Sequence, residues 1–231
     1  MTEQSSKNKK MSKKFKLGLS LFFLGLLGVL TLLTVTISLD SLPKEVLEKI
    51  SPHTLKYLVL INPTILLLIA VIVGTLLYDK VGFSVPTISA ILKIEQAKIK
   101  FTEQIKFGVL FGLLTGILTT VIGIIFKSSI PQEFIVLGNK IKITTIARFG
   151  YGGLTEELLM RFGFMTLVVW LIFKTTKNLG NSTYWIGIIL ASILLNPAML
   201  AAVTLPIFGI VVSPVTLLAH LGAMGAFTKQ R

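Results

Sequence analysis

The sequence contains no cysteine, few charged residues and only two histidines, His53 and His220. The absence of cysteine excludes disulfide frameworks, thiolate metal sites and cysteine nucleophiles. Charged residues make up 14% of the 231 residues, whereas an ordinary soluble domain has about 25%. Hydrophobic residues make up 53%, and the mean hydropathy is +0.83. These proportions exclude most soluble folds and favour a single helical bundle inside a bilayer.

Acidic residues are also scarce. The chain has 23 Lys and Arg against 10 Asp and Glu, which gives a net charge of +13. In a soluble protein this excess would suggest nucleic-acid binding. Here the basic residues lie between apolar runs, and no basic face carries interleaved aromatic residues. We therefore expect no nucleic-acid partner, and we expect the basic residues to set membrane orientation and to contact anionic lipid headgroups of the bilayer.

Long apolar runs predict an all-α, polytopic transmembrane bundle of about six spans, because about 20 apolar residues cross a bilayer as a helix. The runs cover residues 17–39, 58–78, 107–126, 144–173, 185–200 and 215–227. The last run is short, which favours a partly re-entrant segment. The polar connections 40–57 and 79–106 predict one or two amphipathic helices at the interface, the second beginning near Ile91.

Three regions follow from this layout: a basic cytoplasmic tail over residues 1–16, an N-terminal transmembrane region over 17–143, and a core over 144–231. The polar composition of the tail predicts disorder. Four glycines in 107–126 and the cluster of Gly150, Gly152 and Gly153 in the fourth run predict close helix packing. Six spans place both termini on one side, which carries 15 Lys and Arg against six on the other. The positive-inside rule then predicts a multi-pass protein of the cell membrane with cytoplasmic termini.

The fourth apolar run is unusual because it contains Glu156, Glu157 and Arg161. Each ionised residue inside a span costs about 2.5–3.5 kcal/mol on insertion scales, and such residues mark functional sites by default. Glu157 and Arg161 are four residues apart and can pair on a helix. Glu156 points about 100° away around the axis, where it could act as a general base. The structural alternative is a buried Glu–Arg pair that only fixes helix packing, or a turn that is wet at the interface.

The segment GGLTEELLMRFG, residues 152–163, resembles the first signature of the CPBP family. These are the CAAX-protease and bacteriocin-processing (Abi) intramembrane proteases, and their signature is two glutamates, three residues and an arginine. The resemblance covers about Phe149 to the C-terminus, and the first three spans match only in general layout. It implies that Glu156 activates a water that attacks a peptide carbonyl, while Arg161 orients or neutralises Glu157.

The resemblance also implies a histidine in a later helix and a divalent metal. His220 matches the third-motif histidine, so the implied metal ligands are Glu156 and His220, with zinc as the expected cofactor. Zinc in a catalytic site normally has three protein ligands and a water. Glu157 could be the third ligand, although both glutamates would then be engaged and neither would be free as the base. His53 is interpreted as an ordinary interfacial histidine.

Two positions depart from the family pattern. Met199 stands where the second motif has a histidine, with Leu195 in place of the preceding phenylalanine. Met224 stands where an Asn or Asp follows the last histidine by four residues. A thioether is a poor zinc ligand. Asn196, one turn from Met199, is a possible polar substitute.

Three hypotheses follow. The first is a CPBP-type intramembrane endopeptidase that cleaves a peptide or membrane-protein substrate near the cytoplasmic half of the bilayer. The second is a catalytically impaired homologue that acts in membrane binding, regulation or bacteriocin immunity. The third is a small transporter or channel subunit in which Glu156 relays protons. The missing second histidine favours the second hypothesis on chemical grounds, whereas the intact glutamate–arginine motif favours descent from the first.

Overall fold

The computed structural model describes residues 3–37, 51–94, 101–126 and 141–194, together with residues 128, 130, 132 and 135. Over these residues the chain is helical apart from turns and one two-residue antiparallel ladder. Four of the described helices are long and apolar enough to cross a membrane. They cover Lys10–Thr34, Lys56–Val81, Phe101–Ile125 and Thr145–Thr176. The predicted all-α class is confirmed, and the chain has the helices of a membrane protein.

The helical elements of the described residues are α1 (Glu3–Leu30), α2 (Pro52–Leu77), α3 (Pro86–Ile91), α4 (Phe101–Ile125), α5 (Thr145–Thr176) and α6 (Asn181–Leu194). Short 3-10 turns, Thr31–Thr34 and Tyr78–Val81, extend α1 and α2. The start of α2 is encoded locally, because the Ser51 side chain accepts a hydrogen bond from the Thr54 backbone N–H and Pro52 occupies the first turn.

Helix α5 is not a regular α-helix. Two π-helical segments, Arg148–Thr155 and Leu158–Met165, flank the short α-helical step at Glu156 and Glu157. The helix returns to α geometry at Thr166–Thr176. π-Helical turns are rare and occur frequently at functional sites. The charged motif therefore lies in the most irregular stretch of the described helices.

Helices α1 and α5 are antiparallel, and so are α1 and α2. At one end, which we call the ladder end, Thr36 pairs with Lys142 in the antiparallel ladder. At the other, which we call the basic end, Lys10 and Lys14 contact Asp79. The lysines of the basic end include Lys10, Lys13, Lys14, Lys80, Lys93, Lys174 and Lys177. The described helices thus place the N-terminal lysines and those after α2 and α5 at the same end of the bundle.

Helix α5 is the centre of the described bundle, since it contacts α1, α2 and α6. One apolar cluster joins α1 and α2 to the middle of α5; its fully buried members include Leu17, Leu21 and Leu67, with Leu158 packed against them. A second cluster joins the later part of α5 to α6 and is built around Val169 and Ile188. The motif helix is therefore held on three sides by apolar contacts.

Two polar segments, the N-terminal tail and the chain after α3, differ from the prediction. The N-terminal tail is helical from Glu3 rather than disordered, and Lys10 and Lys14 anchor it to Asp79 at distances of 3.1 and 2.6 Å. The surface helix expected from Ile91 is absent over residues 92–94, because the chain turns there with Lys93 at a positive φ of 54°. The short helix α3 instead ends at Ile91.

Helix α4 differs from its neighbours in having no buried residue. A side chain added at any of its glycines would meet no atom within 4 Å. These glycines are Gly108, Gly112, Gly116 and Gly123. The close packing predicted for them is not made with the described residues.

Candidate functional site

The first half of α5 is fixed against α1 by small residues. Thr155 is fully buried, and its hydroxyl donates a hydrogen bond of 2.7 Å to the backbone oxygen of Gly25. A Cβ at Gly28 would collide with Thr155 and with the backbone of Gly150. A Cβ at Gly150 would in turn collide with the side chain of Thr31. Thr155, the residue before the two glutamates, is thus fixed by its hydrogen bond to α1 and by the close approach of the two helices.

The second half of α5 is fixed against α2 in the same way. Gly163 lies against Ala70, and a Cβ at Gly163 would collide with it. A Cβ at Gly74 would come within 2.5 Å of Phe162. Of the three clustered glycines before the motif, only Gly150 confirms the predicted close packing, since a Cβ at Gly152 would meet no atom of another described helix within 4 Å. Gly153 does not, since a Cβ there would meet no atom within 4 Å.

Between these two contacts lies the ion pair that the spacing predicts. The Glu157 Oε2 and Arg161 Nη1 atoms are 2.5 Å apart. The side chain of Arg161 is 27% exposed and that of Glu157 is 42% exposed. The Thr166 hydroxyl donates to the backbone oxygen of Arg161 at 3.3 Å, a span of five residues that matches the π-helical geometry. The pair lies near the midpoint of the fourth candidate span.

Glu157 and Arg161 line a cavity of about 260 Å³. Its opposite wall comes from the segment after α2, including Phe83 and Pro86, and from Gln104 at the start of α4. Because these wall residues follow the end of α2, the cavity lies in the half of the bundle nearer the basic end. A volume of this size admits several side-chain-sized groups and water.

The sequence did not indicate the polar part of this wall. The Thr87 hydroxyl donates a hydrogen bond of 2.8 Å to the Gln104 side-chain oxygen, which links α3 to α4 beside the cavity. Both residues lie in the polar connection 79–106, but outside the stretch from Ile91 for which the sequence predicts an amphipathic helix. No local pattern marks Gln104, because only the tertiary fold brings α4 close to α5 at that point.

Glu156 has a different environment from its neighbour. It is exposed with respect to the described residues, and it does not line the cavity. A Cβ at Gly152 would lie 3.8 Å from its Oε2 atom. The expectation that the adjacent glutamates point in different directions is therefore met, with Glu157 toward the cavity and Glu156 away from it.

The remaining candidates are either distant or outside the described residues. His220, Asn196, Met199 and Met224 all lie beyond residue 194 and so outside that part of the chain. His53 is exposed at the start of α2, where its ring contacts that of Tyr57 at a centroid distance of 5.2 Å. This contact fits an interfacial histidine rather than a ligand of the motif.

The motif supplies few of the ligands that zinc needs. Among the described residues no group of three or more His, Asp or Glu side chains could hold a metal ion. In the motif the carboxylates are Glu156 and Glu157, and the second is already held by Arg161. Zinc in a catalytic site normally takes three protein ligands, so these residues do not form a zinc site by themselves.

Comparison with protein-family models, with curated proteins and with solved structures finds no match to this chain.

Proposed function

We propose that this chain is a six-span protein of the cell membrane with cytoplasmic termini, and that it is an intramembrane endopeptidase of the CPBP type. One observation carries the proposal: the Glu157–Arg161 ion pair lines a cavity near the midpoint of a membrane-spanning helix. Helix packing alone does not require such a pair, because ionised groups are costly inside a bilayer. The cavity, at about 260 Å³, offers room for several side-chain-sized groups of a peptide or membrane-protein substrate beside the motif.

In the proposed reaction the Glu156 carboxylate takes a proton from water, and the water oxygen bonds to the substrate carbonyl carbon. The C–N bond then breaks, and the proton passes to the leaving nitrogen. Arg161 compensates the charge of Glu157, so that Glu156 is not opposed by a second free carboxylate at its side. A zinc ion in this site is a further proposal that requires His220 as a ligand.

The decisive variant is Glu156→Gln. Removal of a general base lowers the rate by about 10²–10⁴-fold, so we expect cleavage products to disappear while the protein stays folded in detergent. The measurement compares new peptide N-termini, identified by mass spectrometry, in membranes from cells producing the wild type or the variant. Glu103→Gln is the control, since Glu103 is an exposed acid in the first turn of α4. Persistence of the same new N-termini in Glu156→Gln contradicts the proposal.

The second candidate is a catalytically impaired homologue that binds a peptide in the same cavity, for example in bacteriocin immunity. It is favoured by the position of Glu156, which is exposed and outside the cavity wall. In that case wild-type membranes give no new N-termini. A photo-crosslinking residue at Val85, in the cavity wall, should still capture a peptide, whereas one at Leu113, on the exposed surface of α4, should not.

A further inference from the structure

Two lysines converge on one tryptophan ring at the basic end of the bundle. The Lys80 Nζ atom lies 6.0 Å and the Lys174 Nζ atom 5.1 Å from the centroid of the Trp170 ring. Lys80 belongs to the turn that follows α2, and Lys174 is one helical turn after Trp170 on α5. Both lysines are exposed, and Trp170 is partly buried. The cluster therefore joins the ends of two spanning helices around an accessible surface.

Among the described residues, no acid pairs with the positive charge of this cluster. Asp79, next to Lys80 in sequence, is held by Lys10 and Lys14 instead. Over the residues that the structure describes, no ion pair or side-chain hydrogen bond involves Lys80 or Lys174. The face of the ring attracts each ammonium group, but two ammonium groups at one ring also repel each other. An anion shared between them would remove that repulsion.

We propose that Lys80, Lys174 and Trp170 bind the phosphate group of an anionic phospholipid headgroup. The site lies where the candidate spans Lys56–Val81 and Thr145–Thr176 end, which is the level of the headgroups. Tryptophan is enriched at that level of a membrane, and anionic lipids attract lysines at the cytoplasmic surface. The assignment of this site to the cytoplasmic surface rests on the proposed cytoplasmic termini. The binding site itself does not depend on peptidase activity. A soluble phosphate ester has the same chemistry, and the experiment separates the two sources.

The test uses the fluorescence of Trp170 in full-length protein. The chain has two tryptophans, so Trp185→Phe makes Trp170 the only one. The protein is reconstituted in phosphatidylcholine vesicles that contain a minor fraction of brominated phosphatidylglycerol or brominated phosphatidylcholine, with bromine on the acyl carbons nearest the headgroup. We expect phosphatidylglycerol to quench Trp170 at a much lower fraction than phosphatidylcholine does. Each lysine near an anionic surface strengthens binding about fivefold, so Lys80→Gln with Lys174→Gln should weaken this preference about thirtyfold.

Two variants control for folding and for general charge. Lys80→Arg with Lys174→Arg keeps the cations and should keep the preference. Lys56→Gln with Lys142→Gln removes two lysines from the ladder end and should leave it unchanged. Equal quenching by the two lipids, or an unchanged preference in the double glutamine variant, overturns the proposal. A response of Trp170 to inorganic phosphate in pure phosphatidylcholine vesicles, without a preference for phosphatidylglycerol, overturns the lipid assignment and identifies a site for soluble phosphate.

Discussion

At the scale of single residues, the ion pair of Glu157 and Arg161 is the contact that the sequence predicts most directly. The four-residue separation on a helix predicts the pair, and the structure joins their side chains at 2.5 Å. The separation says nothing of Gln104 or Phe83 across the cavity. Removing either partner of a partly buried pair lowers the stability of the fold, because the remaining charge keeps its desolvation cost without compensation.

A double-mutant cycle measures this pair. We expect Glu157→Gln and Arg161→Met each to lower the free energy of unfolding by about 1–3 kcal/mol, less than for a fully buried pair because both side chains are partly exposed. In the double variant, the decrease in the free energy of unfolding should be smaller than the sum of the two single decreases by at least about 1 kcal/mol. Unfolding in mixed detergent micelles gives the values. Lys10→Gln, at an exposed pair, should change stability by less than about 0.5 kcal/mol. Strict additivity at Glu157 and Arg161 contradicts the expectation.

At the scale of elements, the helices differ in how they use glycine. In α2 and α5, Gly74 and Gly163 lie against the neighbouring helix with no space for a Cβ. In α4, the glycines face no described atom. Both sets lie in apolar runs, so local sequence does not distinguish them. The tertiary contacts separate them, because a glycine interface forms only where a partner helix approaches.

Two alanine substitutions test this distinction. We expect Gly74→Ala to lower the free energy of unfolding by about 1–3 kcal/mol, because the new Cβ overlaps Phe162. Gly112→Ala should raise it by about 0.5–1 kcal/mol, because alanine has the higher helix propensity and meets no neighbour. The same micelle unfolding assay applies to both variants. A large loss at Gly112 would show that α4 has a close partner in the folded protein, contrary to the expectation.

At the scale of the whole molecule, the distribution of lysines and the packing of helices agree. The positive-inside rule assigns one side to the tail and to the connections after the second and fourth spans. The structure brings lysines from these same segments together at the basic end, through Asp79 and Trp170. The bundle is therefore charged at one end in a way that favours a single orientation.

Because the chain has no cysteine, each introduced cysteine is the sole thiol and reports its own side of the membrane. We expect Ser51→Cys and Ser128→Cys to react with a membrane-impermeant maleimide on intact cells. Asn8→Cys and Asn178→Cys should react only after permeabilisation. Asn8 precedes Lys10 on α1 and Asn178 follows Lys177 after α5, so both lie on the side of the basic end. The extent of labelling on gels is the measurement. Reaction of Asn8→Cys and Asn178→Cys from opposite sides would contradict the antiparallel arrangement.

The sequence by itself determined the helical class, the approximate positions of four candidate spans and the Glu157–Arg161 pair, because hydropathy and i, i+4 spacing are local properties. The first span differs most, since it covers Lys10–Thr34 instead of 17–39 and Thr36–Ile37 is a strand. It also placed Glu156 and Glu157 on different faces. Only the tertiary structure decided the π-helical form of α5, the cavity wall at Gln104, the contrast between glycines and the meeting of Lys80 with Lys174. These features depend on which helices approach one another, and residues distant in sequence supply the atoms that make each contact.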